Sequence, residues 1–486
     1  MKNCTLLCVF VTWLMSLVFV GSRCGGEAVS DVSSGRPGSL KPPNIVFVLA
    51  DDLGWSDLGC YGSDLHRTPH LDQLAAEGLR FTQAYAAAPV CTPTRASIMT
   101  GKTPARLHMT IWSEASQLPP LNRALVPPVT VGDLPHEEVT IAEALQNKGY
   151  RTAHIGKWHL GDAAHYPEAH GFEVNIGGTM WGAPNTFYHP FNGGGTFGDE
   201  FRYVPGLGLG TSDDYLTDRF TDEAIEIIDQ LADGDQPFFL HMSYHTVHTP
   251  IEGKPEVVSD YQGRVRAGFH HRNAEYAAMV HSLDENVGRL IAALRQRRIA
   301  GDTIVIFTSD NGGFVNKYEE TEVTNNWPLR SGKGSLYEGG VRVPLVVYWP
   351  GVTPVGGTCE EAVSSIDFYP TIAEIAGLDL RNTQDVDGLS LVPLLRQSAA
   401  EFPRDTLYWH YPHYYPTTTP VSAIRQGDWK LLEYFEDGHV ELYNLADDQG
   451  ETRNLAEQSP QRAAELRKKL AAWRQSAKAQ LPKANR

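Results

Sequence analysis

The sequence predicts an α/β fold, a mostly parallel central sheet flanked by helices, with a smaller C-terminal antiparallel-sheet subdomain. Three observations predict it. Apolar, β-branched runs alternate with helical stretches as far as Thr308, the pattern of helices covering both faces of a parallel sheet. The first run, from Asn44 to Ala50, is apolar throughout, as expected of a strand buried on both faces. Finally, the polar residues that stand out all follow predicted strands: Asp51 and Asp52, Lys157 with His159, His245 and His248, then Asp310 and Asn311. In folds of this kind ligands sit beyond the carboxyl ends of strands.

The elements follow in order. Met1-Lys2-Asn3 and an apolar run over residues 5–20 read as a signal peptide spanning residues 1–26, with residues 27–41 as a linker. The expected location is therefore secreted or periplasmic. An uncleaved anchor is the competing reading, and Arg23 disfavours a lipoprotein site at Cys24. Residues 42–402 read as the catalytic domain. After the first strand comes a helix over 71–77. Thr140 and Glu143 form a capping-box signature before a helix that Gly149 ends, and a strand follows over 152–155. A helix over 216–231 leads to a strand over 238–242, and a helix over 273–297 leads to one over 303–308. Residues 403–486 change character: an aromatic cluster at 408–415, short strands near 422–425, 429–432 and 439–443, and a closing helix over 461–480. Residues 177–210, rich in Gly, Phe and Tyr, read as a surface insertion able to shape a cleft.

Composition narrows the partners. The chain has 486 residues, 42% hydrophobic and 20% charged, which is ordinary for a globular protein. Its net charge of −17 argues against nucleic acid or an anionic membrane as the main partner, while a small anionic substrate remains compatible with a locally positive cleft. Of the six cysteines, Cys60, Cys91 and Cys359 lie outside the leader, so this is no disulfide scaffold.

Cys91-Thr92-Pro93-Thr94-Arg95 places a thiol, a helix-starting proline and a cation in one turn. A helix N-terminus beside a cation lowers a thiol pKa, so the residues alone suggest a reactive cysteine; a buried inert cysteine is the plain alternative. The strand-end residues suggest a metal site facing an anion site. Asp51, Asp52, Asp310 and Asn311 offer oxygen only, which suits a hard divalent cation such as calcium or magnesium better than zinc. Arg95, Lys157, His159, His248 and Lys333 supply positive charge and proton donors for an oxyanion. Such a set suits hydrolysis of a charged ester.

The motif at Cys91 resembles the formylglycine-dependent sulfatase signature, and the resemblance extends along the chain. It includes residues 44–54, His154-Ile155-Gly156-Lys157-Trp158-His159-Leu160-Gly161, His248-Thr249-Pro250, Ser309-Asp310-Asn311-Gly312-Gly313, residues 332–342 and the ending Glu441-Leu442-Tyr443-Asn444-Leu445. The resemblance implies an alkaline-phosphatase-like domain, calcium held by Asp51, Asp52, Asp310, Asn311 and the modified Cys91, and oxidation of Cys91 to formylglycine (3-oxoalanine) by a formylglycine-generating enzyme. It implies that Arg95 orients the modified residue, that His159 and Lys157 contact it and the sulfate, and that His248 and Lys333 grip the sulfate from the leaving-group side. His248 is preferred to His245 because it heads the matching His-Thr-Pro. In the aromatic cluster, His410 and His413 are candidates for sugar hydroxyl contacts, with an inter-domain core as the alternative.

The resulting expectation is a sulfatase acting through a formylglycine hydrate and calcium, on sulfate esters of sulfated carbohydrates or smaller sulfated substrates. A formylglycine-dependent phosphonate monoester or phosphodiester hydrolase is the enzymatic alternative. A sulfoglycan-binding protein on an inactive fold is the other.

Overall fold

The structure, a computed structural model, describes residues 42–117, 122–380 and 383–485. The predicted signal peptide and linker lie outside the described residues. Among those described, no helix is long and apolar enough to cross a membrane.

Among the described residues nine strands form the central sheet: β1 (Asn44–Ala50), β2 (Leu79–Tyr85), β3 (Arg151–Gly156), β4 (Val174–Ile176), β5 (Phe238–Ser243), β6 (Thr303–Ser309), β7 (Arg342–Tyr348), β8 (Gly357–Cys359) and β9 (Val363–Ser364). Their order is β8-β2-β7-β6-β1-β5-β3-β4, with β9 also paired to β2. Every residue of β1, β5 and β6 is buried, as continuous apolar runs require. The helices Leu216–Ala232 and Ala274–Gln296 close one apolar layer and Ile141–Asn147 and Phe368–Ile375 the other. Thr140 caps its helix by the expected box with Glu143.

One strand runs against the rest. β7 is antiparallel to both β6 and β2, so β2 points the same way as β6. Pro344 sits inside β7, where a missing N–H argues against a central strand. The register against β2 shifts between Val343 and Leu345, which takes Pro344 out of that ladder. Because β7 runs backwards, the loop leading into it reaches the same sheet edge as the carboxyl ends of its neighbours.

The C-terminal part is a four-stranded antiparallel sheet, β10 (Thr406–Tyr411), β11 (Val421–Gln426), β12 (Trp429–Tyr434) and β13 (Val440–Asn444), covered on one face by the helix Pro460–Ser476. Its other face shares a core with Tyr85, Val90 and Leu336 through Trp409 and Tyr411. Lys430 spans this junction: its Nζ lies 2.8 Å from Glu338 and 3.0 Å from Glu451, all three fully buried. Burial pushes Glu451 up to about 7, whereas Lys430 overcomes the burial of Glu338 and holds it low. Lys430→Met removes the one cation shared by two buried carboxylates and is expected to cost about 3–5 kcal/mol. Chemical denaturation reads this directly; an unchanged midpoint contradicts it.

Buried histidines set an acid limit. His154 Nδ1 lies 2.9 Å from His241 Nδ1, so one ring donates and the other accepts, and both are neutral. Burial lowers His154 and His413 to about 3 and His410 to about 4, and holds His241 well below its usual range. These groups bind protons more readily unfolded, near pH ~6.5, than folded. Stability is therefore expected to fall as pH drops from ~6.5 through about 4, with net proton uptake on unfolding. Denaturation midpoints that stay flat across that range would exclude it.

Candidate active site

The strand order explains why distant residues meet. β6, β1, β5 and β3 are parallel neighbours, so Asp310 and Asn311, Asp51 and Asp52, His245 and His248, and Lys157 leave adjacent carboxyl ends. Gly156 lets β3 and β5 close together at this edge: its φ is +100° and a Cβ there would stand 1.9 Å from the Ser243 carbonyl oxygen. The Lys157 N–H donates to that same oxygen at 2.7 Å. Asp52 and His159 each adopt a left-handed backbone, φ 60°, a strained state that concentrates at functional sites.

Cys91 opens the helix Cys91–Thr100, which follows β2, and its Sγ lies 3.4 Å from His159 Nδ1. The expectation of a lowered thiol pKa fails here. Burial pushes the thiol up and outweighs the lowering by Lys157 and Lys333, so an unaltered Cys91 is no ready thiolate. Burial, followed by the nearby cations, holds His159 well below its usual range. It is a neutral imidazole, able to accept a proton.

Arg95, four residues along the helix, is buried against the metal-side residues. Its Nε donates to Asp310 Oδ2 at 2.8 Å, and its Nη1 donates to the Lys157 carbonyl at 2.9 Å and to Ser243 Oγ at 2.6 Å. Arg95 thereby ties the ends of β3, β5 and β6 to the Cys91 helix. Ser243, which the sequence reading passed over, is the last residue of its strand, and only strand adjacency reveals its role.

Lys157 Nζ donates to Asp51 Oδ2 at 2.6 Å and Lys333 Nζ to Asp52 Oδ2 at 2.8 Å. Asn311 Nδ2 donates to Asp52 Oδ1 at 2.8 Å, and the Asp52 N–H donates to Asp310 Oδ1 at 3.2 Å. The two adjacent aspartates diverge. Burial, with Asp310 and Asp52 beside it, overrides Lys157 and raises Asp51 to about 8. Burial opposes ionisation of Asp52 too, but Lys333 overcomes it and holds that carboxyl below its ordinary range.

The oxygens also meet the test for a hard cation. Asp51 Oδ1 and Asn311 Oδ1 are buried without a hydrogen-bond partner. With Asp52 and Asp310 they make a donor set of carboxylate and amide oxygen, and Asp51, Asp52 and His248 each place a ligand atom within 4.8 Å of the others. These residues fit the calcium implied by the resemblance.

A cleft of about 420 Å³ opens over this edge, lined by Asp52, Cys91, His159, His248 and Lys333. Lys157 does not line it; its ammonium pairs with Asp51. His245 is buried against Phe220 and does not line it either, whereas His248 does. The outer wall adds residues the sequence reading did not single out: Trp112, Glu114 and Phe314, with Phe197, Glu200 and Arg202 from the insertion flagged as cleft-forming. Arg202 is held over the Phe197 ring, 3.7 Å from its centroid. A larger cavity of about 620 Å³, near Arg404 and Trp473, contains none of the predicted site residues.

His410 and His413 are corrected. Both are buried: His410 bonds Ser422 Oγ at 2.7 Å and the Gln480 carbonyl at 2.8 Å, and His413 bonds Thr110 Oγ1 at 2.7 Å. Neither lines the cleft. From the aromatic cluster only Tyr415 does, and it fits against the Lys333 turn because residue 334 is glycine, whose Cβ would stand 1.9 Å from the Tyr415 ring. Cys60 and Cys359 are free thiols.

An ester-hydrolase site at the edge of a mostly parallel sheet agrees with the comparisons. A family model described as Sulfatase matches residues 43–378, and one described as N-sulphoglucosamine sulphohydrolase, C-terminal, matches residues 331–477. The chain belongs to the sulfatase family, within the alkaline-phosphatase-like superfamily, and is a sulfuric ester hydrolase. It is similar to a sulfatase of Formosa agariphila, 34% identical over 89% of this chain and 88% of that protein. It is 32% identical to the N-acetylgalactosamine-6-sulfatase of Sus scrofa, over 82% of this chain and 77% of that one. The solved structure of Ps i-CgsB in complex with k-i-k-neocarrahexaose is 30% identical, with a TM-score of 0.75, covering 89% of this chain and 93% of that chain.

Proposed function

We propose that this protein removes sulfate from sulfated carbohydrates, with Cys91 converted to formylglycine and calcium held by Asp51, Asp52, Asp310 and Asn311. The observation that carries the proposal is that residue 91 lines the cleft together with His159, Lys333 and Asp52, its side-chain atom 3.4 Å from His159 Nδ1. In this reading the formylglycine supplies a hydrated aldehyde as nucleophile, and calcium supplies Lewis-acid charge for the sulfuryl oxygens.

The chain's own groups account for the rest. His159 Nδ1 lies 3.4 Å from the side-chain atom of residue 91, within reach of a proton there. Lys333, charged and anchored on Asp52, offers fixed positive charge to the sulfate. His248 lines the cleft beside it, Nε2 3.6 Å from Asp52 Oδ2, and the family resemblance gives it the leaving-group side. Lys157 holds Asp51 and adds positive charge next to residue 91. Trp112, Phe197, Phe314 and Tyr415 give aromatic walls that suit sugar faces, with Glu114, Glu200 and Arg202 for polar contacts. The names of a relative and of a solved structure point the same way, one to N-acetylgalactosamine 6-sulfate and the other to bound k-i-k-neocarrahexaose. Maturation would need a formylglycine-generating enzyme, and the predicted leader would route the chain to the periplasm or outside.

Sulfate release from defined sulfated mono- and oligosaccharides tests the substrate class, beside turnover of an aryl sulfate and an aryl phosphodiester. Release from sulfated sugars is the expected result. A large preference for the phosphodiester overturns the sulfatase reading of the cleft. Mass spectrometry of the peptide carrying residue 91 tests the modification: an unaltered thiol in fully active protein sinks it.

A further inference from the structure

Away from the cleft, three imidazoles gather from three segments. His136 lies in the loop before the Thr140-capped helix, and His165 and His170 end two short turns, Ala163–His165 and Pro167–His170. His136 stacks on His165 with ring centroids 4.3 Å apart and on His170 at 5.2 Å, and His165 lies 5.9 Å from His170. One nitrogen of each ring lies within 4.8 Å of the other two. Burial is graded: His136 is exposed, His165 half-buried and His170 fully buried.

His170 is the informative member. Neither of its ring nitrogens has a hydrogen-bond partner, although the residue is 0% exposed. Leaving a buried polar group unpaired carries a desolvation penalty, and packing alone gives no return for it. Burial, then the neighbouring imidazoles, lowers its pKa to about 4, so it is neutral with a lone pair available at neutral pH. His165 is prepared in another way. Its Nδ1–H donates to the Leu134 carbonyl at 2.9 Å, which fixes the ring and leaves Nε2 as the nitrogen for a ligand, the backbone bond typical of metal-ligating histidines.

We propose that His136, His165 and His170 form a second metal site, selective for a borderline divalent ion such as zinc and distinct from the oxygen-lined site in the cleft. Three imidazole nitrogens with no carboxylate among them select zinc, nickel or copper over calcium or magnesium. Two of the rings are held by the fold. The third, on an exposed loop, swings to complete the site, and a fourth position is left for water. Occupancy ties the 131–138 loop to the turns that follow the Lys157-Trp158-His159 segment. The ion therefore acts as a clip that stabilises the fold, without touching the substrate.

The experiment is a zinc chloride titration of the intact protein by calorimetry, in excess calcium so that hard-ligand sites are filled, paired with thermal denaturation. The expected result is one zinc per chain and a raised Tm. His136→Ala, at an exposed position, is expected to weaken zinc binding by about tenfold or more. His136→Ala with His165→Ala abolishes both the binding and the Tm shift, while aryl sulfate turnover in excess calcium stays unchanged. Copper(II) bound to the wild type in place of zinc should show imidazole nitrogen couplings in its electron paramagnetic resonance spectrum, and these are lost in the double variant. Absence of zinc binding in the wild type, or an identical isotherm in the double variant, overturns the proposal. Binding and Tm are read without reference to turnover, so failure here leaves the catalytic reading standing, and the reverse also holds.

Discussion

Cys91→Ala is expected to abolish sulfate release, with kcat/KM lowered by at least about 10³-fold, because removing a nucleophile leaves only binding and electrostatic stabilisation. The side chain is small and sits at the head of a helix held by other contacts, so the thermal midpoint should move little. The size of the effect follows from geometry. Residue 91 is the cleft group that approaches His159, at 3.4 Å, and the flanking Lys333 and Asp52 have no reacting group to act on without it. Burial pushes the thiol pKa up, so the loss cannot be assigned to an ordinary thiolate. A variant that releases sulfate at the wild-type rate overturns the assignment, and circular dichroism distinguishes a dead site from an unfolded chain.

Arg95→Met is the second large effect, and it falls on stability as well as turnover. The guanidinium is 2% exposed and donates to Asp310, the Lys157 carbonyl and Ser243, so methionine fills much of the volume while leaving those acceptors unpaired. Breaking a buried pair on one side costs about 3–5 kcal/mol. Turnover should fall as well, since Asp310 and the Lys157 turn lose their common anchor. Arg95→Lys restores charge but not the planar fork, so it should recover part of the stability and little of the geometry. Urea denaturation with parallel aryl sulfate assays measures both. Wild-type stability in Arg95→Met contradicts the anchoring role.

The parts of the fold readable from residue order were those with local causes. The Thr140 capping box, the fully buried runs of β1 and β6 and the long helix ending near Gln296 each carry their signal within a dozen residues. β2 and β7 were not legible in this way. β2 alternates weakly, and β7 contains Pro344, which reads against a central strand until the shifted register accommodates it. The aromatic cluster shows the same limit. Tyr415 and His413 are two residues apart, yet one lines the cleft and the other is consumed by Thr110, because facing is decided by what packs opposite. Ser243 and Arg202 carried no motif at all.

By itself the sequence determined the α/β class, the family resemblance and the kinds of atoms available for chemistry: a thiol at a helix start, oxygen donors after two strands, and cations after others. These are properties of residue type and short-range order. Only the tertiary structure decided that the ends of β6, β1, β5 and β3 are neighbours, and that the backward course of β7 carries Lys333 to the same edge. It also decided that burial raises the pKa of the Cys91 thiol, and that Asp51 and Asp52, adjacent in the chain, shift in opposite directions. The physical reason is that burial and charge proximity are set by groups far apart in sequence, and both arise when the sheet assembles.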